Sequence, residues 1–159
     1  MGFFDKLGAG GGKITVDVEP ATHVAGNTVR GTITFTGGKR AQKVTALLVW
    51  LTRGAGTDIN LGKGAVQEKD GESAPLGEKV TVTGELMAQP GQAHTFAFEL
   101  PIPTRIMNSR SMDINGQPGP VMQHYRVWGT ADIPGEIDKH GQSTDFEVTG
   151  GLKLEVTTR

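Results

Sequence analysis

Apolar residues recur at every second position through much of this chain, and that rhythm limits what it can fold into more than any other feature. Ile14, Val16 and Val18 alternate with Thr15, Asp17 and Glu19, which places apolar side chains on one face of a strand and polar ones on the other. The alternation returns from Thr28 to Thr36, with Val29, Ile33 and Phe35 inward, and Gly37 and Gly38 close it in a turn. It appears again over 78–87, with Val80, Val82 and Leu86 inward, and over 94–100, with Phe96, Phe98 and Leu100 on one face. Between these two, Gln89-Pro90-Gly91 carries proline and glycine where a type II turn wants them. Pro101 and Pro103 stop the second, because neither can donate to a ladder.

One segment breaks the rhythm without leaving the strand class. The run VTALLVWL over 44–51 is apolar at nearly every position, as expected of a central strand covered on both sides; eight residues is short for a buried helix. Further strands are predicted over 122–133, 144–148 and 152–157. On the first of these, Tyr125 and Val127 share one face and Arg126 and Trp128 the other. No sustained 3.6-residue apolar period occurs, and the one helical candidate is a single turn at 2–7.

Glycine, at 24 residues with 8 prolines, punctuates these segments without a collagen-like period. Many short strands joined by turns, with no amphipathic helices between them, predict an all-β fold: an immunoglobulin-like, arrestin-like antiparallel β-sandwich with a short N-terminal helical turn or tail. A closed barrel is the structural alternative. The 159 residues suit one such domain over 13–159, preceded by a tail and Gly-rich tether over 1–12. Two stretches read as long loops, at 53–77 and 104–120. The first could hide a short hairpin, pairing 57–61 with 65–68.

Charge and composition then remove classes of function. The net charge is −1, from 16 basic and 17 acidic residues, so no one-signed field recruits nucleic acid or anionic lipid. There is no cysteine for a disulfide, a thiolate metal site or a thiol nucleophile. The opening MGFFDKLGAGGGK lacks the apolar core of a secretory signal, and no stretch approaches a membrane span. A cytoplasmic location, with no membrane association, is therefore expected.

Neither a G-x-S-x-G elbow nor a phosphate-binding loop occurs, and the glycines at 8–12 precede a strand, reading as a flexible tether. His23, His94, His124 and His140 are scattered without metal-ligand spacing, so surface or loop positions are expected for them. Asp132, Glu136, Asp138 and Asp145 could offer oxygens to calcium around a turn. Lys139 sits among them and the EF-hand pattern is missing, so a solvated acidic turn is the plainer expectation. No catalytic, cofactor-binding or metal residues are assigned, and no enzyme or cofactor is expected.

Three segments together resemble the arrestin-like bacterial sporulation-control family in its N-terminal sandwich domain: MGFFDKLGAGGGKITVDV at the start, QPGQAHTFAFELPIPT in the middle and VWGTADIPGEIDKHGQSTDFEV near the end. The resemblance implies a scaffold that regulates by contact with protein partners, linked to sporulation or cell-stage control, with no cofactor. That family is typically built of two such sandwiches in tandem, whereas this sequence holds about one. Its acidic turn is also usually richer in aspartate than KHGQSTD.

The primary expectation is a non-enzymatic interaction scaffold using strand edges and the two long loops. The alternatives are a self-assembling structural subunit, forming an oligomer or filament, and a carbohydrate- or calcium-binding sandwich module, of which the carbohydrate form is disfavoured by the low aromatic content of 6%. Phe3, Phe4 and Leu7 lie outside the periodic strands and are candidate partner-binding residues. They dock into a partner or a neighbouring subunit, dip into a membrane surface as a minimal anchor, or fold back onto their own sandwich. Trp50 and Trp128 are expected in or near the core. Arg126 is expected to pair with Asp132 or Asp113 in a buried contact, or to form a surface ion pair.

Overall fold

The computed structural model describes residues 11–19, 22–54 and 74–157. Its first sheet is built from the three clearest alternating segments: β1 (Lys13–Val18), β3 (Thr28–Thr36) and β8 (Ala93–Pro101), in the order β1-β3-β8 with antiparallel pairing. The second carries the apolar run as β5 (Ala46–Arg53), flanked by β11 (Tyr125–Asp132) and β6 (Val80–Thr83), with β12 (Lys139–Gln142) on its far edge.

The inward faces of these two sheets meet to form the core. Ile14, Val16, Val29, Ile33, Phe35, Phe98 and Leu100 from one sheet join Leu47, Val49, Leu51, Tyr125, Val127 and Ala131 from the other in a single buried cluster. Removing side chains of this size from water stabilises by roughly 1.5–3 kcal/mol each. Gly129 of β11 marks how closely the sheets approach, since a Cβ there would lie 2.8 Å from both Ile33 Cδ1 and Val16 Cγ2. The type II turn forms as expected: Gln92 N–H donates to Gln89 O, with Gly91 at φ 71°.

Short pieces complete the sandwich. β4 (Gln42–Val44) pairs with β7 (Leu86–Ala88), and β2 (His23–Val24) with β13 (Val148–Thr149). A small sheet is formed by β9 (Met107–Ile114), β10 (Gln117–Pro118) and β14 (Leu152–Val156), in the order β10-β9-β14. The β13·β2 and β14·β9 pairs are parallel, in a sandwich whose other pairings are antiparallel.

The structure corrects several sequence expectations. The stretch 104–120 is a hairpin instead of a loop, because Ser109 and Ser111 take inward positions where an apolar residue was sought, and Ser109 Oγ accepts the Val148 N–H at 2.9 Å. The segment 78–87 is two strands, divided at Gly84 and Glu85, that serve different sheets: β6 pairs with β5, and β7 with β4. The strand sought over 144–148 is reduced to the two-residue β13, preceded by a bridge between Phe146 and Tyr125. The acidic turn before it contains β12. The helical turn at 2–7 and the hairpin at 57–68 lie outside the described residues.

Candidate interaction surface

The two long edges of the sandwich differ. On one side β1 closes onto β12, so tightly that a Cβ on Gly141 would lie 2.5 Å from Ile14 O. On the other, β6 and β8 are the edge strands of their sheets and face each other across an open groove of about 380 Å³. Val80, Thr81, Val82, Ala97, Phe98 and Glu99 line it. Alternation places each there: Val80 and Val82 are half-buried beside the core, Phe98 is buried, and Ala97 and Glu99 are exposed. Neither edge pairs with another strand among the described residues, which leaves backbone donors and acceptors available to an incoming strand.

The outer face of the four-stranded sheet carries an aromatic row. Lys79 Nζ sits 4.5 Å from the ring centroid of Trp50, Trp50 lies 6.3 Å from Trp128, and His140 stacks on Trp128 at 4.8 Å. Both tryptophans are buried, but on the side of the sheet away from the inter-sheet cluster. Arg126 lies on the same face and pairs with Asp145 at 2.7 Å, and its guanidinium also donates to Gln142. The expected partners are thus corrected. Asp113 is held by Lys153 at 2.6 Å, and Asp132, at the end of β11, contributes its backbone carbonyl to Thr45.

A second hollow, of about 190 Å³, lies between Arg53, Pro103, Arg105, Gln123 and the buried Tyr125. Tyr125 donates its hydroxyl to Met107 O at 2.6 Å. Burial, opposed by the nearby Arg53, pushes that hydroxyl up to about 12.

The remaining polar candidates have structural roles. Glu136 accepts from Gln42 Nε2 at 3.2 Å, and Asp145 is engaged by Arg126, so two of the four proposed calcium carboxylates face other partners. Among the described residues, no three of the His, Asp and Glu side chains gather into a metal-binding group. His23, expected at the surface, is buried with its ring edge-on to Phe146 at 4.8 Å. Phe3, Phe4 and Leu7 lie outside the described residues, as does most of the loop at 53–77. Sequence reasoning missed the aromatic row because its outer members, Lys79 and His140, are polar.

No helix among the described residues is long and apolar enough to cross a membrane. The chain matches the family model described as SpoOM protein over residues 2–142. Among solved structures it is similar to the sporulation control protein Spo0M of Bacillus subtilis, at 26% identity and a TM-score of 0.60, over 86% of this chain and 49% of that one. It therefore spans about half the length of that relative. The alkylpurine DNA glycosylase AlkC of Pseudomonas fluorescens is more distant, at 15% identity and a TM-score of 0.44, over 86% of this chain and 30% of that one. No curated protein matches. The match over 2–142, on an all-β sandwich similar to the sporulation control protein, means that the chain belongs to the SpoOM protein family, arrestin-like proteins of sporulation control.

Proposed function

We propose that this chain is a cytoplasmic, non-enzymatic regulatory module of sporulation or cell-stage control, which acts by taking an extended segment of a partner protein into the groove between β6 and β8. The observation that carries this reading is the pair of strand edges, unpartnered among the described residues, that face each other across that groove. A strand added to β8 gains main-chain hydrogen bonds along as many as nine residues and sets every second side chain against Val80, Val82 and Phe98. Thr81 on the rim favours a segment with an apolar face and a polar one, since Glu99 is already paired with Arg30 at 2.8 Å. The Bacillus subtilis relative is named a sporulation control protein, which supports a role in control.

The test is site-specific photo-crosslinking in the native cell, with the reactive group at Ala97 or Thr81, both groove-lining, and at Thr15 as a control. A discrete protein adduct at the two groove positions, lost when Glu99→Arg is added and not seen from Thr15, is the expected result. Adducts from Thr15 alone would place the binding surface elsewhere.

A further inference from the structure

We infer that the last strand, β14, pairs antiparallel with the β14 of a second copy, in one register centred on Leu154. β14 is an edge of the small β10-β9-β14 sheet. The opposite edge, β10, is two residues long and ends in Pro118, which cannot donate to a ladder. β14 contains no proline, and its apolar residues are turned outward: Leu154 is 62% exposed and Leu152 43%, beside Ile114 at 38% on β9. Soluble edges seldom display leucines this way unless something covers them.

The sequence Leu152-Lys153-Leu154-Glu155-Val156 identifies the occupant by its own complementarity. In a two-fold antiparallel pair centred on Leu154, Lys153 of each copy, which already holds Asp113 of its own chain at 2.6 Å, stands opposite Glu155 of the other. Leu154 then faces Leu154, and Leu152 faces Val156. A slide of two residues in either direction sets Lys153 against Lys153 or Glu155 against Glu155, which is repulsive. A slide of one residue turns the leucines to the opposite face. Parallel pairing in register would align like charges. A lone lysine on an edge deters pairing, whereas a glutamate two residues later makes the same strand self-complementary. Such a contact is isologous and closes at two copies, and it uses none of the residues that line the β6/β8 groove.

Sedimentation equilibrium of the intact chain, across a range of protein concentration, provides the test. The wild type is expected to dimerise. Leu154→Lys, Lys153→Glu and Glu155→Lys, each shown folded by circular dichroism, are each expected to weaken dimerisation roughly tenfold or more. Equimolar mixing of Lys153→Glu with Glu155→Lys sets positions 153 and 155 of each copy opposite a complementary charge and is expected to restore the dimer. A wild type that stays monomeric, a dimer indifferent to Leu154→Lys, or a mixture no stronger than its components would each overturn the inference. Because Lys153→Glu also breaks the bridge to Asp113, Asp113→Asn, which breaks that bridge alone, serves as the control and is expected to leave the dimer intact.

Discussion

Arg126 and Asp145 meet at 2.7 Å across nineteen residues of sequence, and this pair ties the segment between β12 and β13 to the outer face of the central sheet. Gly54, just beyond β5, makes room for it: a Cβ there would lie 2.4 Å from Asp145 Oδ1. The two side chains are 14% and 29% exposed, so loss of one leaves the other poorly solvated.

Arg126→Met is expected to cost about 1–3 kcal/mol of stability by leaving Asp145 without its charged partner. Gly54→Ala should cost a comparable amount by displacing the same carboxylate. Because both act on Asp145, the double variant should be less destabilised than the sum of the two singles. Urea unfolding of the four proteins measures this, and strict additivity would show that the two positions are independent.

Gly129→Ala inserts a methyl group between the two sheets, at 2.8 Å from Ile33 and Val16. Overpacking of this kind is expected to destabilise by about 1–3 kcal/mol. Trimming the opposing side chain with Ile33→Val should recover part of that loss, although Ile33→Val alone costs about 0.5–1.5 kcal/mol. Thermal melts of the single and paired variants distinguish a steric cause from a general weakness of β11.

Tyr125 gives the fold an alkaline limit. Its hydroxyl ionises near 10 in the unfolded chain and is pushed up to about 12 in the fold, so the folded state holds the proton more firmly. Stability from this source is fully present below pH 10 and is lost as pH rises through about 12, amounting to roughly 2 kcal/mol. Tyr125→Phe should lower stability at pH 8 by about 1–2 kcal/mol, since Met107 O loses its donor. It should also remove this part of the alkaline decline. Denaturation midpoints at pH 8, 10 and 11.5 for both proteins test the sign.

The sandwich was legible where side chains obey the period of two. β3 runs over the residues its alternation marks, and Phe96, Phe98 and Leu100 share a face because nothing but burial selects them. The β9-β10 hairpin was hidden because Ser109 and Ser111 occupy its inward positions, where Ser109 Oγ accepts the Val148 N–H. The Asn115-Gly116 pair, at φ 51° and 80°, is the signal that could have exposed it, since this dipeptide favours a two-residue hairpin turn.

The candidate interaction surface was legible only in kind. Edge strands were expected to carry binding, but which edges remain open depends on how β1 closes onto β12 and how β6 stops short of β8. Those are properties of sheet order, set by residues far apart in sequence. Lys79 and His140 likewise acquire their places beside Trp50 and Trp128 through cross-strand neighbours, which no local pattern records.

The most direct measurement of the central claim is amide hydrogen exchange of the chain in complex with the partner isolated through Ala97, compared with the chain alone. Added protection over Val80–Thr83 and Ala93–Pro101 is the expected result, with β1 and β12 unchanged. Protection confined to the β1/β12 side, or to the hollow beside Arg53 and Arg105, would contradict strand addition at the β6/β8 groove.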